Sequence, residues 1–170
     1  MKRTVLHRTT IETPSGAVVL VRRAGKLVAL VYEDRWTGMQ RELEKRFGAL
    51  LLEQDPDGGA PAEAFRRYLG GDLAALDGLE TDTAGTPFQE KVWKALRRIP
   101  AGRTISYADL ARAIGSPAAV RAVAGANARN PVSIVVPCHR VIASDGALSG
   151  YGGGVPRKRW LLVHEGAWLA

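Results

Sequence analysis

The chain has 170 residues, 46% hydrophobic and 24% charged, which suits a globular protein with a core and excludes a disordered one. No apolar run approaches the roughly 20 residues of a membrane-spanning helix, and the opening MKRTVLHRTTIETPSG lacks the apolar stretch of a secretory leader. A single cysteine excludes an internal disulfide, so a reducing, cytoplasmic setting is expected. The net charge of +7 is unevenly held: residues 1–85 carry 12 Lys+Arg against 13 Asp+Glu, and residues 86–170 carry 12 against 4. That asymmetry suits a polyanion-binding C-terminal half, with a merely Arg-rich soluble protein as the plain alternative.

In chain order, residues 4–11 and 17–21 read as strands with Pro14-Ser15-Gly16 as the turn between them, and residues 27–32 (LVALVY) read as a third strand. The spacing of Met39, Leu43, Phe47 and Leu50 predicts a helix from Arg35 to Leu52, and a second helix covers Pro61–Leu69 before Gly70-Gly71. The polar stretch DGLETDTAGT at 77–86 is the expected connection, which puts one domain at 1–85 and a second at 86–170. Thr86 and Pro87 open a helix whose apolar face is Phe88, Val92, Trp93, Leu96 and Ile99. Ser106 caps the next helix, with Tyr107, Leu110, Ala111 and Ile114 on its buried side. Gly115-Ser116-Pro117 then turns into a helix running from Pro117 to Ala128, a helix-turn-helix pattern. That last helix is almost all small (Ala118, Ala119, Ala122, Ala124, Gly125, Ala126 and Ala128), and Arg121 is its one long charged residue before the end. Such a helix can approach a nucleic-acid backbone closely, although close packing on another helix would select the same residues.

Ile134-Val135-Val136 is short and β-branched and runs into Pro137, so it reads as a buried strand leading into a bend. Cys138 follows the bend. A lone cysteine is by default a small buried hydrophobe, but His139 and Arg140 beside it supply a base and a positive field. Thiolate formation at neutral pH needs one or the other. Glu165 could orient His139 as the third member of a relay, whereas His164 fits better as the end of a helix closed by Gly166. His7 carries no functional argument.

The run NPVSIVVPCHRVI at 130–142, with GYGGG at 150–154 and WLLVHEG at 160–166, resembles the O6-alkylguanine-DNA alkyltransferase (methylated-DNA–protein-cysteine methyltransferase) family. PCHR is the most specific part. The resemblance extends through SYADLARAIGSPAAVRAVAGANARNP at 106–131 and TPFQEKVWKALRRIPAG at 86–102. The N-terminal half shares only its length and strand-then-helix layout. The resemblance implies an α+β protein: a small β-sheet plus helices, ribonuclease-H-like and supporting, in residues 1–85. Residues 86–170 would be a mainly helical, winged helix-turn-helix-like domain that binds DNA and accepts the alkyl group.

By this resemblance Cys138 is the nucleophile, His139 takes its proton through a bound water, Glu165 orients His139, and Asn130 braces the turn. Tyr107 would protonate the departing guanine, since a neutral base leaves more readily than an anion. Pro137, Val141, Tyr151, Gly152 and Gly153 would wall the base pocket. Arg121 would fill the space left by a flipped nucleotide, with Ser106, Ala119, Arg129 and Lys158 as further DNA contacts. The implied partner is double-stranded DNA bound through the minor groove by a monomer, with no membrane, no cofactor and no metal. With no cysteine besides Cys138, a thiolate zinc site is excluded. The implied substrate is O6-alkylguanine, with O4-alkylthymine an open alternative, and each molecule acts once because no second thiol can undo the thioether. Gly152 stands where some members have serine, so a contact to the base there would come from the backbone N–H, and by the resemblance the glycines would leave room for groups larger than methyl. A related non-catalytic branch has tryptophan in place of the cysteine, which Cys138 disfavours. Two other classes fit parts of the pattern. One is a helix-turn-helix DNA or lesion-binding protein without chemistry, which needs no Pro137-Cys138-His139. The other is a cysteine hydrolase, disfavoured because adjacent Cys and His rarely face each other.

Overall fold

In residues 2–148 and 150–169, which the computed structural model describes, the chain separates into two units, residues 1–83 and 84–170. The first is built on β1 (Thr4–Ile11), β2 (Val18–Arg23), β3 (Lys26–Tyr32) and β4 (Leu50–Gln54). The sheet order is β3-β2-β1-β4. β1 and β2 are antiparallel with Ile11 opposite Val18, as are β2 and β3 with Val18 opposite Tyr32, while β4 runs parallel to β1 with Leu50 opposite Thr4. The run Val18-Val19-Leu20-Val21 has no polar alternation because all four residues are buried in an inner strand, covered on both faces.

Helix α1 (Trp36–Phe47) packs Leu43, Trp36, Met39 and Phe47 onto a cluster of Leu6, Val19, Val21, Val28 and Ala29. The helix predicted to Leu52 stops five residues early. Gly48 adopts φ 76°, a left-handed conformation in which its N–H bonds back to Glu44 and ends the helix. Beyond it Leu50 and Leu52 are half-buried while Leu51 and Glu53 are exposed. That is a strand's period of two, and it continues a helical spacing by coincidence. Helix α2 (Gly59–Leu69) begins two residues before the predicted Pro61. Gly58 before it has φ 75°, and a Cβ there would lie 2.4 Å from the Ala62 side chain and 2.8 Å from that of Thr9.

The second unit contains α3 (Pro87–Leu96), β5 (Ile105–Ser106), α4 (Tyr107–Ala113), α5 (Val120–Ala128), β6 (Val141–Ile142) and α6 (Val155–His164). Thr86 caps α3 through a capping box: Gln89 N donates to Thr86 Oγ1 at 3.2 Å and Thr86 N donates to Gln89 Oε1 at 3.0 Å. Ser106 and Asp109 form the same box on α4. Helices α3, α4 and α5 pack around Val92, Trp93, Leu96, Leu110, Val123 and Ala126, all buried. Trp93 is satisfied there by donating its indole N–H to Ala126 O at 2.8 Å. Helix α5 starts at Val120, not Pro117, because Ala119 N bonds to Ser116 O and closes a separate turn first. The molecule is thus mixed α+β, and among the described residues no helix is long and apolar enough to cross a membrane.

Candidate active site

The segment before the cysteine is a knot of turns, which corrects the strand predicted over Ile134–Val136. Ile134 has φ 72°, rare and strained for a β-branched residue. Val135 N bonds to Ser133 O at 2.8 Å around it, and Cys138 N bonds to Val136 O at 2.8 Å around Pro137. These are two three-residue turns in close succession. Asn130, 9% exposed, holds them closed from inside: Nδ2 donates to Val136 O at 2.6 Å, and Oδ1 accepts from Val132 N at 3.0 Å. Strain persists only where the surroundings over-determine it, and buried Ile134, Val135 and Val136 with the Asn130 brace supply that constraint.

Cys138, His139 and Arg140 form one short 3-10 turn, all buried. His139 is fully buried and its Nε2 meets Glu165 Oε2 at 2.9 Å. Arg140 donates Nε to Glu165 Oε1 at 2.8 Å, Nη2 to Oε2 at 2.9 Å, and Nη1 to Ile99 O at 2.6 Å. A carboxylate gripped by two guanidinium donors is ionised and can only accept. The imidazole proton therefore sits on Nε2, leaving Nδ1 as a lone pair, and Nδ1 is buried without a hydrogen-bond partner among the described residues. Burial holds His139 neutral, below its ordinary value, against the pull of Glu165. Burial would raise Glu165, but charge and hydrogen bonds from His139 and Arg140 outweigh it and hold the carboxyl well below the usual range. Histidine and glutamate are 26 residues apart in sequence, and α6 is what joins them.

Cys138 is 6% exposed. Burial pushes its thiol up, while the Asn130 side chain, the Lys158 charge and the Ser133 side chain favour the thiolate. The predicted DNA contact Lys158 is corrected here: the residue is 0% exposed and donates Nζ to Val141 O at 2.6 Å, so it belongs to the buried site. Burial lowers its pKa to about 8, opposed by the Cys138 charge. The two-residue parallel pairing of β5 with β6, Ile105 opposite Val141, sets Tyr107 at the start of α4 beside the cysteine segment. Burial first, then the Cys138 charge, raise the Tyr107 phenol, which keeps it protonated as a donor; the Asn127 amide acts the other way. Asn127 also donates to Cys138 O at 3.4 Å. Gly150, φ +66°, approaches so closely that a Cβ there would lie 3.2 Å from the Tyr107 hydroxyl. Of the predicted pocket residues, Pro137 and Val141 are buried, Tyr151 and Gly153 half-buried and Gly152 exposed.

The predicted DNA contacts other than Lys158 lie on α4, α5 and their edges. Arg121 is exposed in the first turn of α5, with Ala118 and Ala122 exposed beside it, and it makes no ion pair or hydrogen bond among the described residues. Ala119 is half-buried and no side chain caps the helix. Ser106 uses its hydroxyl to accept from Asp109 N at 3.0 Å, and exposed Arg129 turns back to Gly125 O at 3.2 Å. His164 stacks on Trp160 at 4.8 Å, and His7 pairs with Glu53 on the surface at 3.6 Å. Asn127 is the member of the site that sequence reasoning passed over, and Arg140, read there only as a positive field beside the cysteine, is the clamp of Glu165. Asn127 is a polar residue inside a small-residue helix, which demands a buried partner.

Comparison with known proteins gives the same site a family. Residues 87–167 match the model of the 6-O-methylguanine DNA methyltransferase DNA-binding domain. The chain is 55% identical over 160 residues to the methylated-DNA–protein-cysteine methyltransferase of Shigella flexneri, covering 92% of this chain and 93% of that one. It is 56% identical over 108 residues to the Salmonella typhimurium protein of the same name, where the match spans 63% of the relative's length. The crystal structure of Mycobacterium tuberculosis OGT in complex with DNA is similar at a TM-score of 0.80 and 39% identity, covering 94% of this chain and 92% of that one. With the PCHR turn, its buried cysteine and an N-terminal unit that aligns along with it, this chain belongs to the methylated-DNA–protein-cysteine methyltransferase family.

Proposed function

We propose that the protein repairs alkylated DNA by moving the alkyl group of O6-alkylguanine onto its own Cys138. The observation that carries this reading is His139: its Nε2 is bound to the Arg140-clamped Glu165, and its Nδ1 is left as a buried base on the residue that follows the only cysteine of the chain. The thiol proton passes to Nδ1 through a water, Sγ forms a bond to the alkyl carbon, and the carbon–O6 bond breaks with its electron pair going to the base. Tyr107 gives its proton to a ring nitrogen, so guanine leaves neutral, and the proton on His139 returns to the phenol through solvent. The product is a thioether. With no second cysteine to displace it, each molecule acts once.

The C-terminal unit is read as a winged helix-turn-helix-like module whose α5, lined by small residues, enters the minor groove of duplex DNA. The target carbon is reached only when the nucleotide is flipped, which costs a few kcal/mol, and Arg121 fills the vacated stack. The uncapped amino end of α5 and the positive balance of residues 86–170 favour phosphate. Pro137, Val141, Tyr151, Gly152 and Gly153 wall the base. The N-terminal unit is read as a ribonuclease-H-like support, and the whole acts as a cytoplasmic monomer. To test the reading, the protein is incubated with excess duplex containing O6-methylguanine and weighed. One added methyl, on the peptide holding Cys138 and never exceeding one equivalent, is the expected result, and Cys138→Ser should bind the duplex yet gain nothing. Tight lesion binding with no gain in mass would replace the reading with that of a non-catalytic lesion sensor.

A further inference from the structure

The segment that joins α3 to α4 carries on one side a pocket of about 400 Å³ that alkyl transfer leaves unused. Pockets that hold small molecules run from about 300 to 1,000 Å³ and are mostly apolar, with a few placed polar groups. Here Ala95 of α3, Ile99, Ile105 of β5 and Ala113 of α4 supply apolar wall. Arg98 and Arg103 line it too, both exposed and, among the described residues, neither in an ion pair nor in a side-chain hydrogen bond. No acidic side chain is among the residues that line it. Such a hollow is complementary to an apolar body that carries an anion. The other side of the segment is fixed. Arg103 N bonds to Pro100 O at 3.1 Å across a turn in which Gly102 has φ +90°. A Cβ on Gly102 would lie 3.3 Å from Glu165 O, so the turn is pressed against the end of α6. Ile99 O accepts from Arg140 Nη1 at 2.6 Å, and Ile105 pairs with Val141. Ile99 thus lines the pocket and also holds the Arg140 clamp of Glu165.

We infer that this pocket is a binding site for a small amphipathic anion, a carboxylate on a flat apolar body, and that its occupant is felt at the relay through Ile99. The site goes beyond alkyl transfer and does not depend on it. Duplex DNA is the other anion that a basic half would meet, but a phosphate backbone brings no apolar group to set against Ala95, Ile99 and Ala113. The walls are preformed, because the segment is already tied to Arg140, to Val141 and to its own Gly102 turn. A ligand therefore finds its seat in place and spends little on ordering it. A body packed on the Ile99 side chain bears on the carbonyl of the same residue, which is the one that receives Arg140.

Two molecules of one shape separate charge from apolar fit. The carboxylate 2-naphthoate and its neutral amide, 2-naphthamide, are titrated into the wild-type protein without DNA and followed by NMR. Naphthoate should saturate a single site, with shifts gathered on the backbone of Ile99, Thr104, Ile105 and Ala113. It should bind about fivefold or more tightly than naphthamide, the scale of one or two exposed charge contacts. The Arg140 Nε–H signal should move with the same midpoint. Arg98→Gln combined with Arg103→Gln should erase the difference between the two molecules, and Ala113→Trp, which fills the hollow, should abolish binding of both. Equal affinity of the two for the wild-type chain would overturn the site, and that comparison needs no variant to fold. Shifts spread over the surface arginines without saturation, or wild-type affinity in folded Ala113→Trp, would overturn it equally. An Arg140 signal unmoved at saturation would reject the link to the relay. Because DNA is absent, each result stands apart from the success or failure of the repair reaction.

Discussion

A buried guanidinium is costly unless its charge is paired and its donors are used, and Arg140 meets Glu165 twice and the Ile99 carbonyl once. Its presence decides the chemistry of its neighbours. Because it holds the carboxylate ionised, Glu165 can only accept, His139 can only donate through Nε2, and Nδ1 is left to act as base. On the surface the decisive residue is Arg121, exposed and, among the described residues, unpaired on a helix of small side chains. Arg121→Ala is expected to weaken duplex binding and slow repair of duplex about tenfold or more, the scale of a lost stacking and phosphate contact. Reaction with free O6-benzylguanine should be spared, because nothing there has to be flipped. Comparing the two rates in one preparation settles the role; an equal fall in both would show that Arg121 acts on the pocket.

Among the elements, the most constrained is the 130–138 turn, where a left-handed isoleucine and two tight turns are held by one asparagine. Asn130→Asp keeps the shape and can still accept from Val132 N, but it cannot donate to Val136 O and puts a carboxylate beside the thiol. Two buried carbonyl and carboxylate oxygens left facing each other cost about 1–3 kcal/mol or more. Urea denaturation should register that loss, and alkyl transfer should fall further than stability alone explains because the negative charge opposes the thiolate. Transfer at the wild-type rate would remove Asn130 from the site. The short β5–β6 pairing is the second such element. With only two residues in each strand it carries little stability of its own, yet it aligns Tyr107 with the cysteine turn.

For the whole molecule, the relay ties stability to pH. The folded chain keeps His139 neutral and Glu165 ionised, so both bind protons more weakly than when unfolded. The unfolded chain takes up those protons near the ordinary values of about 6.5 and about 4.3. It is then the state with more bound protons, and stability falls as pH falls through that range. The free energy of unfolding in urea should therefore drop between about pH 7.5 and pH 5, and the drop should be smaller in His139→Gln. An identical drop in the variant would mean that other groups govern acid sensitivity.

How much of this was legible in the residues follows from distance along the chain. The strands β1 to β3, the capping boxes at Thr86 and Ser106, the exposed Arg121 and the nucleophile beside its histidine are local patterns. Alternation, cap chemistry and adjacency are written within a few residues of one another. The strand β4 was hidden because leucines at positions 43, 50 and 52 satisfy a helix until Gly48 takes a left-handed φ. The stretch Ile134–Val136 has a strand's composition, and only the Asn130 brace from outside the stretch forces it into turns. Lys158 reads as one more basic residue among Arg157 and Arg159, and its burial depends on which face α6 turns to the cysteine turn. By itself the sequence determined the family, the nucleophile and the charged, small-residue surface, since each rests on residue type at close spacing. Only the tertiary structure decided the relay's protonation and the place of Lys158, because these depend on burial and on contacts between groups 17 to 41 residues apart.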